Sequence, residues 1–222
     1  MNITPIKTPL IAKKIFPNYI WDIPSDSKTL YLTFDDGPTP EITNWTIDIL
    51  AQYNAKATFF CIGKNIKLYP EIFKNIINND HGVGNHTYNH LKGWRTSTKD
   101  YLTNIDDAQK IIDSEIKDRQ SKIVNLFRPP YGQIRPKQGK AINELGYQVV
   151  MWNVLSFDWD KEITPENCLN NVISHAQDGS IIVFHDSLKA KVNMTYALPK
   201  VLDHFSKKGF NFKTIQPTRI PE

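Results

Sequence analysis

The sequence predicts a parallel α/β fold. From residue 29 onward, β-favouring segments alternate with segments of helical period, and each helical segment carries one apolar stripe. The 222 residues suit one such domain, since single α/β barrels reach this size. A Pro-rich lead of residues 1–28 precedes the alternation, and residues 29–222 show no linker, composition shift or internal repeat.

In chain order, the strands expected are Thr29 to Phe34, Ala57 to Ile62, Gly82 to Asn85, Val124 to Phe127, Gln148 to Val154, Ser180 to Phe184 and Phe210 to Thr214. Between the first two, Ile42, Trp45, Ile49, Leu50 and Tyr53 share a helical face. Ile66, Tyr69, Phe73 and Ile77 form the next stripe, then Tyr101, Ile105, Ala108, Ile112 and Ile116. Thr164-Pro165 reads as an N-cap followed by Pro at the first helical position, with Leu169, Val172, Ile173 and Ala176 continuing to a stop at Asp178-Gly179. The last helix carries Leu198, Val201, Leu202 and Phe205 and ends at Gly209.

Composition excludes several classes. Charged residues are 23% and the hydrophobic set 40%, so the chain can bury a core and is neither disordered nor fibrous. Twenty-seven Lys and Arg against 23 Asp and Glu leave +4, too little and too scattered for a nucleic-acid or anionic-membrane partner. No stretch has the length of a membrane span, and the first residues show no apolar run of signal-peptide type. Cys61 and Cys168 sit in apolar contexts with no CxxC, which suits buried free thiols. These features lead us to expect a cytoplasmic monomer.

Unusual polar residues fall at the ends of the expected strands. Asp35 and Asp36 follow the first, His86 the third, Arg128 the fourth, Asp158 the fifth, and His185 and Asp186 the sixth. In barrels and open α/β sheets that rim is where βα loops converge and ligands bind. Asp35-Asp36-Gly37-Pro38 reads as a strand-ending turn or as a cation site, in which a metal held by one carboxylate relieves repulsion and leaves the other free as a base. His86 and His90, four apart, are either solvated histidines or, with a carboxylate, a two-His, one-carboxylate donor set. Zinc suits such a site for hydrolysis, and Co2+, Mn2+, Fe2+ and Ni2+ fit the same donors. In Arg128-Pro-Pro-Tyr-Gly132 the prolines either stop a strand or hold the Tyr131 N–H inward as an oxyanion donor, with Arg128 a surface charge or the holder of a carboxylate. His185 is a core histidine or a general acid.

Thr33-Phe-Asp-Asp-Gly-Pro38, His86-Thr-Tyr-Asn-His90, Arg128-Pro-Pro-Tyr131, Ser156-Phe-Asp-Trp159 and Val183-Phe-His-Asp186 resemble, in order and spacing, the five motifs of the polysaccharide deacetylases, carbohydrate esterase family 4, or NodB homology domain. The resemblance runs from about Thr29 to Thr214. It implies a distorted (β/α) barrel of about seven parallel strands and metal-dependent removal of acetyl groups from sugars. By resemblance, Asp35 is the general base, Asp36, His86 and His90 the metal ligands, and Arg128 the residue that orients the base. Tyr131 resembles the backbone oxyanion donor, His185 the general acid, Asp158 its orienting carboxylate, and Trp159 the aromatic wall beside the acetyl group. Two positions depart from the pattern. Leu155 stands where the family usually has Asp, and Val183 where it has Leu, which trims the acetyl pocket by about one methylene.

Two other readings use the same residues: a non-catalytic carbohydrate-binding module on the same barrel, and an amidohydrolase for a small linear amide. The first predicts a missing ligand or proton donor, and none is missing. Trp94, Tyr131 and Trp159 offer stacking faces, which favours a carbohydrate substrate such as an N-acetylglucosamine oligomer in an open groove.

Overall fold

The computed structural model describes residues 5–25, 27–116 and 125–216. The strands are β1 (Thr29–Asp35), β2 (Ala57–Cys61), β3 (Gly82–Asn85), β4 (Leu126–Phe127), β5 (Gln148–Val149), β6 (Val154–Leu155), β7 (Ile181–His185) and β8 (Asn211–Phe212). The helices are α1 (Leu10–Ile15), α2 (Ile42–Gln52), α3 (Gly63–Leu68), α4 (Pro70–Asn78), α5 (Thr98–Ile116), α6 (Pro136–Glu144), α7 (Pro165–Ile173) and α8 (Lys191–Lys207). Seven strands form a continuous path, β5-β4-β3-β2-β1-β7-β6, with every pair parallel, and β8 pairs with the start of β1.

That order begins and ends on strands adjacent in sequence. Val149 and Val154 are joined by four residues, which span roughly 17 Å at full stretch, so the two edges curl towards each other into a distorted barrel. The expected strand Gln148 to Val154 is therefore two strands. At one end Val150 N–H donates to Phe127 O (2.8 Å), and at the other Asn153 N–H donates to Ile181 O (2.9 Å), so the segment crosses from β4 to β7. The N-terminal lead lies along this crossing: Met151 N–H donates to Ile20 O (2.7 Å), and Thr8 N–H to Asn153 O (2.9 Å). Tyr19 and Trp21 are buried there.

Strand periodicity sorts the side chains into two layers. Leu30, Leu32 and Phe34 of β1 pack with Ala57, Phe59, Ile182 and Phe184 in the layer that also holds Leu50, Phe73, Leu198 and Val201 of the helices. The alternate residues behave differently. Tyr31, Phe60 and Ile181 share a separate apolar cluster, and above them Thr33 and Asp35 contact Arg128. β1 and β2 are buried along their whole length, as central strands of a doubly covered parallel sheet are.

The helices follow the expected stripes with two changes. Pro70 starts a new helix, so the stripe through residues 66–77 is split between α3 and α4; Ile66, Phe73 and Ile76 are buried while Tyr69 is partly exposed. Helix α7 stops at Ile173 rather than at Asp178-Gly179, and Thr164 caps it by accepting from Asn167 N–H at 3.2 Å. Cys61 and Cys168 are free and buried. Of the strand expected at Val124 to Phe127, Val124 lies outside the described residues.

Candidate active site

Parallel register brings the rim residues together. Asp35 of β1 is paired with His185 of β7, and Cys61 of β2 with Asn85 of β3, which delivers His86 one residue later. The loops that follow have unusual backbones: Asp36, Thr87, His90, Tyr131 and Phe157 all have positive φ, at a cost of roughly 1 kcal/mol each. Such conformations persist only where neighbouring bonds fix them. Asn104, a polar residue on the apolar face of α5, accepts from both Tyr88 and Asn89 N–H at 3.0 Å, and Asn85 Oδ1 accepts from Thr87 N–H at 2.9 Å.

Asp36, His86 and His90 present donor atoms within 4.8 Å of one another. His90 Nε2 lies 3.1 Å and His86 Nε2 3.7 Å from Asp36 Oδ1, a buried oxygen that no hydrogen bond among the described residues satisfies. His86 Nδ1 faces the Arg128 carbonyl at 2.7 Å, which places its proton there and leaves Nε2 bare. Burial, the largest influence, lowers the His86 imidazole to about 4, so it is neutral and able to ligate. Burial would raise the Asp36 carboxyl, but the contact with His90 and the charges of His185, His86 and His90 outweigh it and hold it below the usual range. An orphaned carboxylate oxygen facing two imidazole nitrogens fits a divalent cation.

Arg128 is wholly buried, not a surface charge. Its Nη1 donates to Asp35 Oδ1 (2.8 Å) and Thr33 Oγ1 (2.7 Å), Nε to Val150 O (3.2 Å) and Nη2 to Met151 O (2.8 Å), while Phe60 lies 4.1 Å beneath the guanidinium. The carbonyls it bonds belong to the β5–β6 crossing, so the segment that interrupts that strand also holds the guanidinium that anchors Asp35. On the other side, Asp158 accepts from His185 Nδ1 (2.8 Å) and from its backbone N–H (2.7 Å). Burial would lower the His185 pKa, but the Asp158 charge and hydrogen bond, helped by Asp36 and Asp35, raise it to about 9.

Asp35, Asp36, His86, His90 and His185 line one cleft of about 540 Å³, with Tyr131, Trp159 and Val183 among the other walls, while Arg128 and Asp158 are buried behind it. Trp159 packs edge-on to His185 with ring centroids 4.7 Å apart. Tyr131 is half exposed, and no hydrogen bond among the described residues uses its N–H. Trp94 does not line the cleft: its indole donates to Ile134 O (3.3 Å), and the wall is supplied instead by Trp152, Leu155, Gln133 and Lys189, which sequence reasoning did not single out as walls. Asp186 was visible beside His185 but drew no role. It is buried and accepts from Gly37 N–H (3.1 Å) and from the Thr43 hydroxyl.

A parallel barrel whose rim joins such a donor set to an Arg-held carboxylate and a carboxylate-held histidine defines a hydrolase. The chain belongs to the polysaccharide deacetylase family, whose sequence profile matches residues 22–150. It is 35% identical over 210 residues to a peptidoglycan-N-acetylglucosamine deacetylase of Bacillus cereus, covering 93% of this chain and 96% of that protein. It is also 35% identical over 164 residues to a chitooligosaccharide deacetylase of Azorhizobium caulinodans, covering 74% and 76%. Among solved structures, the Bc1960 peptidoglycan N-acetylglucosamine deacetylase, in complex with 4-naphthalen-1-yl-N-oxidanyl-benzamide, superposes with a TM-score of 0.83 at 32% identity, covering 94% of this chain and 95% of that one. Among the described residues no helix is long and apolar enough to cross a membrane.

Proposed function

We propose that this chain is a zinc-dependent deacetylase that removes N-acetyl groups from N-acetylglucosamine-containing oligo- or polysaccharides and releases acetate. The observation that carries the reading is the placement of Arg128-held Asp35 in the same cleft as the Asp36, His86 and His90 donor atoms. Peptidoglycan and chitooligosaccharide deacetylases among the relatives support the substrate class. The ligand bound to the solved relative supports the metal, because its N-hydroxy amide is suited to chelation through two oxygens.

Asp36, His86 and His90 would hold the ion, which would polarise the acetyl carbonyl and make water more acidic. Asp35, with one oxygen tied to Arg128, takes the proton of the attacking water through the other. The Tyr131 N–H donates to the developing oxyanion. His185, oriented by Asp158, gives a proton to the departing amine nitrogen. Trp159 and Val183 flank the acetyl methyl, and the exposed Tyr131 offers a stacking face to a neighbouring sugar unit.

Acetate release should be measured on chito-oligosaccharides, peptidoglycan fragments and acetylated xylan with zinc present. Higher kcat/KM for an N-acetylglucosamine tetramer than for the monomer is expected of an open cleft, whereas release from small linear amides alone would favour the amidohydrolase reading. We include a monomer in the proposal, and a cytoplasmic location with the free thiols of Cys61 and Cys168 as the support for the location; fractionation of native cells tests it.

The general acid makes a pH prediction. His185 is protonated below about 9 and neutral above it, so kcat should fall as pH rises through that value. Asp158 is the partner that raises this pKa against burial, so Asp158→Asn should move the alkaline limb to lower pH as well as reduce kcat. An unmoved limb in the Asp158→Asn pH–rate profile would remove His185 from the role.

A further inference from the structure

Asp186 takes no part in the chemistry above, yet two hydrogen bonds tie it to the loop that carries both active carboxylates. Its backbone N–H donates to Asp35 O at 3.2 Å, and its side-chain Oδ1 accepts from Gly37 N–H at 3.1 Å. Asp36 lies between these two points with φ of 79°, a conformation that an L-residue holds only under constraint. The remaining carbonyls of the loop are fixed from the other side: Asn65 Nδ2 donates to Asp36 O (2.8 Å) and Ile62 N–H to Gly37 O (2.9 Å).

The carboxyl of Asp186 is itself held. Thr43 donates its hydroxyl to Oδ2 and accepts from Thr39 N–H at 2.7 Å, so the start of α2 is bonded into the same unit. The fit leaves no spare room, because a Cβ on Gly37 would come within 2.0 Å of Asp186 Oδ2. All of Asp186 is buried, and burial raises its carboxyl to about 8.

We propose that Asp186 is a positioning residue that clamps the Asp35-Asp36-Gly37 loop to β7 and thereby presents Asp36 to the metal. The proposal rests on the reading of Asp36 as a ligand and assigns Asp186 no contact with metal or substrate. It requires an acceptor at Oδ1 and a partner for Thr43, not a negative charge. Asparagine supplies both, since its carbonyl accepts from Gly37 N–H and its amide can donate to the Thr43 oxygen. Alanine supplies neither.

The test is calorimetric titration of zinc into the metal-free full chain, with unfolding of each variant followed separately. Asp186→Ala is expected to weaken zinc binding by about tenfold or more, the scale at which residues behind a ligand act. Asp186→Asn should stay within about threefold of the parent, because the hydrogen bonds survive. Should Asp186→Ala fail to fold, Thr43→Val removes one arm of the clamp and is expected to weaken zinc binding by a smaller factor. Parental affinity in the variant examined, whether Asp186→Ala or Thr43→Val, would overturn the clamp. Equal losses in Asp186→Ala and Asp186→Asn would overturn it too, because charge rather than bonding would then be responsible. Failure of the unaltered chain to bind zinc would refute the metal reading itself, which separates the two.

Discussion

Asp35→Asn is expected to retain zinc while losing kcat by roughly 10²- to 10⁴-fold, the scale that a positioned proton acceptor contributes. The substitution is conservative in shape. Asn Oδ1 can still accept from Arg128 Nη1, which stands 2.8 Å from Asp35 Oδ1 in the parent, so the loop and the neighbouring Asp36 stay in place. What is lost is basicity: an amide cannot take the proton of the attacking water. The change also leaves the buried Arg128 guanidinium without its counter-charge, a disruption that costs about 3–5 kcal/mol when a buried pair is broken outright and less where a hydrogen bond survives. Rates should therefore be normalised to folded protein. Elemental analysis beside the kinetics separates the two carboxylates, because loss of zinc in Asp35→Asn together with its retention in Asp36→Asn would exchange their roles.

The parts of this site that were legible in the sequence are those set by local rules. A polar residue placed directly after a β-favouring run announces a strand end, and that rule alone picked out Asp35, His86, Arg128 and His185. The His86 and His90 pair was legible as a spacing. Residues whose meaning depends on which strands become neighbours were not. Arg128 read equally well as a surface charge or as a carboxylate holder, and only the crossing of residues 150–153 from β4 to β7, which supplies two of its acceptors, decides for the second. The same crossing hid in the sequence as one apolar strand, since nothing local marks where a chain changes partner. Pro70 was a legible breaker and should have divided the stripe that runs through it. Asn104 was visible as a polar residue on an apolar face, but its two acceptor contacts form with a loop 15 or 16 residues away in sequence. Trp94 and Trp152 could not be ranked as cleft walls from sequence, because the path of each loop decides which indole faces the cleft.

The second large effect expected is on the metal. A His86→Ala, His90→Ala double variant should retain almost no zinc after dialysis, since two of the three donors are gone and a single carboxylate binds the ion weakly. His86 has a further function in the native arrangement: its Nδ1 is bonded to the Arg128 carbonyl, so one peptide group links the donor set to the residue that holds Asp35. Removing the buried His86 ring also leaves a hole, which makes His90 the cleaner single site. His90 is only partly buried and has φ of 56°, a backbone that glycine adopts without strain, so His90→Gly deletes the imidazole with little cost to the fold. Zinc affinity in His90→Gly should fall by at least about tenfold while its unfolding midpoint without metal stays close to that of the parent. Full zinc occupancy in the double variant, measured on folded protein, would remove these histidines from the metal site and leave the Asp36 oxygen in need of another explanation.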